Sequence, residues 1–311
     1  VHRPSNQNTP VLTDDAVPTV SATIVYLNGE YLPLDQARIS VMDRGFLFGD
    51  GVYEVIPVYD RQPFRLDAHL HRLQQSLQGI RLNTPLDDIA GREPIQQIVA
   101  EIVAQAPWPD MGIYLQITRG PGPRDHAFPN TPQPTLFLMP LALGSPGAAI
   151  LQNGVAAITA IDNRWLRCNL KTTSLLANVL LRQLSVDAEC AETILLREGW
   201  LTEGSASSVF LVHDGVIQTP PESELMLPGI TYEILLELAR CEGMPHQVCP
   251  ISEEVLRKAD EIWITSSTKE ILAVTRLDDH PVGSGQPGPV YRRMLAAYQH
   301  YKRTVMRGHT A

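Results

Sequence analysis

Four lysines stand among cations that are otherwise arginine, and one of them sits in Arg164-Trp165-Leu166-Arg167-Cys168-Asn169-Leu170-Lys171-Thr172-Thr173-Ser174; the other three are Lys258, Lys269 and Lys302. An arginine keeps its proton in any protein. A lysine among Leu170, Leu175 and Leu176 can lose one, because apolar surroundings disfavour the ammonium form, and the neutral amine forms Schiff bases with carbonyl compounds. The segment alone leaves a second reading open, a lysine at a helix start whose stem lies on apolar neighbours while its charge stays in water.

A lysine that holds a cofactor aldehyde points to pyridoxal phosphate, which needs a phosphate cradle, a carboxylate for the pyridine nitrogen and a substrate pocket. Leu227-Pro228-Gly229-Ile230-Thr231 reads as a turn into a helix, whose free N–H groups and dipole favour an anion and to which Thr231 adds a hydroxyl. Thr265-Ser266-Ser267-Thr268 is a second hydroxyl-rich stretch, at the end of the apolar run Ile262-Trp263-Ile264. Glu203, in Leu201-Thr202-Glu203-Gly204-Ser205-Ala206-Ser207-Ser208, is the candidate carboxylate; glycine and small hydroxyl residues let a flat ring approach. Taken singly, these stretches also read as an ordinary helix start, a polar turn and an exposed turn glutamate.

Other patterns fail. His69 and His71 are two apart on a helix and do not face one another, so they make no metal pair. Gly283-Ser284-Gly285-Gln286-Pro287-Gly288 has dinucleotide-type glycines, but no strand leads into it and Pro287 interrupts it, so it reads as a loop. No G-x-S-x-G elbow is present.

The elements that must position these residues divide into two groups. At 311 residues the chain can form two domains. Thr23–Leu32 reads as a hairpin about Asn28-Gly29, Ala37–Met42 as a short strand, 43–51 as a glycine-rich loop, and Val52–Tyr59 as a strand with Tyr53, Val55 and Pro57 on one face. Asp67 is expected to cap a helix over Ala68–Ile80, with Leu70, Leu73 and Leu77 as its core stripe, and a second helix to fill Ile89–Ala104. Strands are expected at Gly112–Thr118 and Thr135–Leu143, around a Gly/Pro-rich loop that contains Arg124 and His126. Gly144-Ser145-Pro146-Gly147 reads as a linker. Beyond it, strands are expected at Val155–Ile161, Thr193–Leu201, Ser208–Gln218 (with a turn at Asp214-Gly215) and Glu261–Thr265. Helices are expected from Thr173 to about Ala188 and at Gly229–Cys241, Glu253–Ala259 and Val290–Arg303. The organisation is therefore α+β, with an N-terminal domain over 21–143, a linker at 144–147 and a C-terminal domain over 148–311 that carries Lys171.

Composition removes several classes of partner. A net charge of -9 without a basic cluster argues against nucleic acid. No apolar run approaches the roughly 18 residues of a membrane span. Cys168, Cys190, Cys241 and Cys249 contain no C-x-x-C pair and read as reduced thiols, mostly buried. Residues 1–20 lack the apolar core of a signal peptide and read as a disordered leader, which makes the cytoplasm the expected compartment.

Through these residues the chain resembles the fold-type IV, class IV aminotransferases, and among them the D-amino-acid (D-alanine) aminotransferases. The resemblance runs from about Tyr26 to Leu277 and rests on DRGFLFGDGVYEV, HLHR, ITRGPGPRDHAFP, RWLRCNLKT, LTEGSASSVF, LPGIT and ITSSTKE in order. It implies that Lys171 is the Schiff-base lysine and carries the proton between Cα and C4′ of the cofactor. It further implies that Glu203 pairs with the pyridine nitrogen, that Arg72, Ile230, Thr231 and Ser267 hold the phosphate, and that Leu227 packs on the ring. Tyr53, Arg124 and His126 match the residues that hold the substrate carboxylate, with the Arg124–His126 loop reaching into the neighbouring site of a homodimer. The implied reaction is ping-pong transfer of an amino group from a D-amino acid such as D-alanine to a 2-oxo acid such as 2-oxoglutarate. Branched-chain L-amino-acid and (R)-amine aminotransferases and aminodeoxychorismate lyases share the fold; Arg124 and His126 speak against them. An idle cofactor-binding or scaffold protein is the reading from another class. Phe46-Leu47-Phe48 and Thr172-Thr173-Ser174 are positions where the family varies, and they bear on side-chain preference.

Overall fold

A computed structural model describes residues 23–91 and 93–308. The expected leader at 1–20 lies outside the described residues. The strands are β1 (Ile24–Leu27), β2 (Glu30–Pro33), β3 (Gly51–Tyr59), β4 (Gln62–Pro63), β5 (Met111–Thr118) and β6 (Thr135–Ala142), then β7 (Val155–Ile161), β8 (Glu192–Arg197), β9 (Trp200–Gly204), β10 (Ser208–His213), β11 (Val216–Thr219), β12 (His246–Val248), β13 (Glu261–Ser266), β14 (Glu270–Leu277) and β15 (His280–Pro281). The helices are α1 (Arg44–Phe48), α2 (Leu66–Gly79), α3 (Leu86–Ala90), α4 (Ile95–Gln105), α5 (Ala148–Asn153), α6 (Leu176–Asp187), α7 (Ile230–Cys241), α8 (Glu253–Arg257) and α9 (Pro289–Tyr301).

The first six strands form one antiparallel sheet in the order β2-β1-β6-β5-β3-β4. Period-two alternation sends Val52, Ile56 and Val58 of β3 into the core, where they meet Leu70, Leu73 and Leu77 of α2 and Ile95, Ile98 and Ile102 of α4. Tyr53 and Val55 face the other way. The second sheet runs β12-β11-β10-β13-β14-β7-β8-β9, with β15 on β14; β7 is parallel to both its neighbours. Mixed sheets with helices to the side match the expected α+β class, and no doubly wound core is present among the described residues.

Several expectations need correction. Ala37–Met42 joins no β-ladder and remains irregular; Ile39, Val41 and Met42 are exposed, so the run is apolar at the surface rather than in a sheet. The glycine-rich loop holds the short helix α1, because Asp43 caps Gly45 N–H and Gly49 ends the turn at φ 66°. The cap of α2 is Arg65 in a left-handed conformation, and Asp67 sits inside the first turn without capping it. The helix expected at Ile89–Ala104 is split into α3 and α4, with Pro94 starting the second. Thr193–Leu201 is two strands rather than one, folded back at Glu198-Gly199, both with positive φ. Strand β14 is not among the expected elements; its apolar run starts just after Lys269, beyond the turn that ends β13. Of the cysteines, Cys168 and Cys190 are buried, Cys249 is half-buried and Cys241 is exposed; all four are free thiols.

Candidate active site

Lys171 is placed by backbone pairing, not by a helix. Tyr53 N–H donates to Lys171 C=O at 2.9 Å, Thr173 N–H to Gly51 C=O at 3.0 Å, and Val52 bridges Thr172, so the segment extends the edge of β3. Ser76 Oγ accepts from Lys171 N–H at 3.2 Å. The reading of a lysine at a helix start therefore does not hold, since α6 begins at Leu176. The other three lysines are taken: Lys258 pairs with Glu254 at 2.7 Å, Lys269 with Glu192 at 2.7 Å and Lys302 with Glu270 at 2.6 Å. Lys171 has no carboxylate in salt-bridge range among the described residues, and its Nζ lies 4.3 Å from the centre of the Tyr53 ring. It opens into a cavity of about 530 Å³ between the two sheets.

One wall of that cavity suits a phosphate. It carries Gly229, Ile230 and Thr231 at the start of α7, where no side chain caps the free N–H groups. Ser266, Ser267 and Thr268 at the end of β13 face the same cavity, as does Arg72 from α2. Arg72 is held from behind. Its Nε and Nη2 donate to Glu54 at 2.7 and 2.8 Å, and its Nη1 to Pro228 C=O at 2.7 Å. Glu54 also meets His69 Nδ1 at 2.8 Å. Burial opposes ionisation of Glu54, but the Arg72 guanidinium and the His69 hydrogen bond prevail and bring its carboxyl down to about 2. Burial lowers His69 below its ordinary value, against the pull of the Glu54 carboxylate.

Another part of the lining suits a ring nitrogen. Glu203 projects from β9, not from a turn, and is almost fully buried. Its Oε1 accepts from Arg164 Nη1 at 2.5 Å and its Oε2 from Leu227 N–H at 3.1 Å. Burial nonetheless pushes its carboxyl up to about 7, against the pull of Arg164. Arg164 is shared with Asp162, whose carboxyl accepts from Nε and Nη2 at 2.9 Å each. The arginine overrides the burial of Asp162 and lowers that carboxyl to about 2. Leu227 lines the cavity beside Glu203.

The structure thus brings Tyr53, Arg72, Lys171, Glu203, Leu227, Ile230, Thr231 and Ser267 to one cavity. It does not bring Arg124 and His126 there. Both are exposed, and they lie against the Phe48 ring at 5.9 and 5.5 Å between centres. Sequence reasoning gave no role to Glu54, His69, Asp162 and Arg164, which brace the charged residues. A signal for Glu54 was present: it occupies a core-facing position of an alternating strand, where a carboxylate requires a partner. An unpaired amine, an anion cradle and a buried acid fit a flat phosphate ester that bears an aldehyde and a ring nitrogen.

The model of the class IV aminotransferases matches residues 51–277, and the chain belongs to that family. Over 277 residues it is 38% identical to a D-alanine aminotransferase of Bacillus licheniformis, covering 88% of this chain and 95% of that protein. Its fold is similar to that of a branched-chain amino acid aminotransferase of Escherichia coli, with 26% identity, a TM-score of 0.81 and coverage of 93% and 96% of the two chains. It is also similar to a second branched-chain amino acid aminotransferase, from T.th., solved with pyridoxamine 5'-phosphate, at 26% identity and a TM-score of 0.80, covering 93% and 95%.

Proposed function

We propose that the protein is a homodimeric pyridoxal-phosphate D-amino-acid aminotransferase that moves the amino group of a D-amino acid such as D-alanine to a 2-oxo acid such as 2-oxoglutarate. The observation that carries this reading is Lys171, the lysine without a carboxylate partner among the described residues, which shares one cavity with Glu203 and Arg72. The 38% identity with a D-alanine aminotransferase supports the choice of substrate.

Pyridoxal phosphate, when bound, supplies an electron sink for the pair released at the substrate Cα. The chain's own residues do the rest. Lys171 Nζ would hold the cofactor through its aldehyde and, freed when a substrate amine takes its place, would carry the proton from the substrate Cα to C4′. Glu203 pairs with the pyridine nitrogen and keeps it protonated. Arg72, Ser267, Thr231 and the Ile230 N–H hold the phosphate, and Leu227 packs on the ring. The half-reactions alternate in ping-pong order, because each acid must leave before the next can use the same carboxylate site.

Tyr53, Arg124 and His126 hold the substrate carboxylate, the latter two in the partner's site. Which side the carboxylate occupies decides which enantiomer turns its Cα hydrogen toward Lys171, so these residues select the hand. The dimer is supported by apolar side chains left in the open. On α6, Leu176, Val179, Leu180 and Leu184 are exposed, and Ile39, Val41, Met42 and Phe46 are exposed near the Arg124 loop. Among the described residues no helix is long and apolar enough to cross a membrane; the cytoplasm is the proposed compartment. Lys171→Ala tests the anchor: the absorbance band of lysine-bound cofactor should vanish, and a variant that keeps it would show that another lysine holds the group.

A further inference from the structure

Arg44 is the arginine of the DRG triplet, 3% exposed, and it takes part in nothing described above. Its side chain reaches into the loop between β5 and β6, where Gly and Pro leave no regular structure and the backbone carbonyls have no ladder to join. Nη1 donates to Asp125 C=O at 2.5 Å and to Ala127 C=O at 3.2 Å, and Nη2 to His126 C=O at 3.3 Å. One guanidinium thus spans three successive carbonyls directly after Arg124. Its remaining Nε donates to Asp50 at 2.8 Å, and Asp50 also receives Arg119 Nε at 2.8 Å. Burial disfavours the Asp50 carboxylate, but hydrogen bonds from Arg119 and Arg44 outweigh it and hold the carboxyl below its ordinary value.

The stems of the loop are stapled by the same triplet. Asp43 accepts from the hydroxyls of Thr118, at the end of β5, and Thr135, at the start of β6, at 3.0 and 2.7 Å. Arg44 N–H donates to Gly120 C=O at 2.9 Å. At the tip, the Phe48 ring is a shared platform: Arg44 lies 4.8 Å from its centre, Arg124 5.9 Å and His126 5.5 Å. The two exposed side chains therefore stand on a backbone and a ring that are fixed from below.

We propose that Arg44, with Phe48, positions Arg124 and His126, so that recognition of the substrate carboxylate depends on a buried arginine that touches no substrate. The inference rests on the reading of Arg124 and His126 given above. A fork set by three carbonyls fixes direction as well as place, and a lysine at the same position keeps the charge toward Asp50 while losing the fork.

The test uses the holoenzyme and three variants. Arg44→Lys should raise KM for D-alanine and for 2-oxoglutarate about tenfold, the size of one or two lost hydrogen bonds, with kcat and the lysine-bound cofactor absorbance close to those of the parent. Phe48→Leu, at a half-buried position, should raise the same two constants and covers the case in which Arg44→Lys does not fold. In an Arg124→Ala background the effect of either change should shrink to the part that acts through His126, because the Arg124 route has been removed. Unchanged KM in Phe48→Leu and in a folded Arg44→Lys would overturn the proposal. So would a full additional loss in the Arg124→Ala background, or parallel loss of kcat, KM and cofactor retention. Arg124→Ala alone tests the underlying reading: if it leaves both KM values in place, the carboxylate assignment fails whatever Arg44 does.

Discussion

Replacing Glu54 by glutamine removes one charge where no water can replace it. Glu54 is fully buried, and its two oxygens accept from Arg72 Nε and Nη2 at 2.7 and 2.8 Å while one also meets His69 Nδ1 at 2.8 Å. Two routes give the magnitude. The fall of its carboxyl from 4.5 to about 2, at about 1.4 kcal/mol for each tenfold change, corresponds to about 3 kcal/mol. Removing one partner of a buried ion pair costs about 3–5 kcal/mol, because the other charge is left uncompensated. A loss of about 3 kcal/mol is therefore expected in urea unfolding of the cofactor-free protein at pH 7. The sign follows from the depressed carboxyl: its contribution is present above the unfolded value of 4.5 and is lost as pH falls toward about 2, so the gap between parent and variant should narrow below pH 4.5. Arg72 also loses its brace, and titration of the cofactor-free variant with pyridoxal phosphate should give an affinity about tenfold weaker. A stability loss below about 1 kcal/mol, or a gap that does not change with pH, would refute the reasoning.

Two further outcomes follow from the site and the surface. Glu203 is the opposite case to Glu54: its carboxyl is raised from 4.5 to about 7, so its contribution to the stability of the cofactor-free protein is present below 4.5 and lost as pH rises through about 7. Between pH 5 and pH 7.5 the parent should lose up to about 3 kcal/mol relative to Glu203→Gln, read from paired denaturant titrations; parallel curves would contradict this. Leu180, 61% exposed on α6, should lie in the dimer interface, so Leu180→Glu should shift the protein toward monomer in sedimentation and reduce turnover with it; a dimer of unchanged stability would place the interface elsewhere.

Much of the candidate site was legible because the residues gathered at the cavity fall on local patterns. The Pro-Gly turn into α7, the hydroxyl run after β13 and the acid before Gly204 each lie on a strand end or helix start that the sequence marks. Lys171 stood out by being a lysine at all. What stayed hidden depends on contacts distant in sequence. Glu54 braces Arg72 across 18 residues and Arg164 reaches Glu203 across 39, and no local pattern records such pairs. The same holds for Arg44, whose partners in the loop lie more than 80 residues away. In the fold, the mistaken strand at Ala37–Met42 has a related cause: a short apolar run reads the same whether it joins a ladder or lies at the surface. The split at Glu198-Gly199 was missed because a two-residue turn inside an apolar run looks like a brief polar interruption.

The central claim is that the cavity holds a lysine-bound cofactor which reacts with D-amino acids. It is tested most directly by mixing the purified holoenzyme, in separate experiments, with D-alanine and with L-leucine while the cofactor absorbance is followed in the absence of a 2-oxo acid. The account predicts that D-alanine converts the lysine-bound form to the pyridoxamine form, that 2-oxoglutarate then restores it, and that L-leucine leaves it in place. Conversion by L-leucine and not by D-alanine would contradict the assignment of Arg124 and His126 and, with it, the proposed substrate.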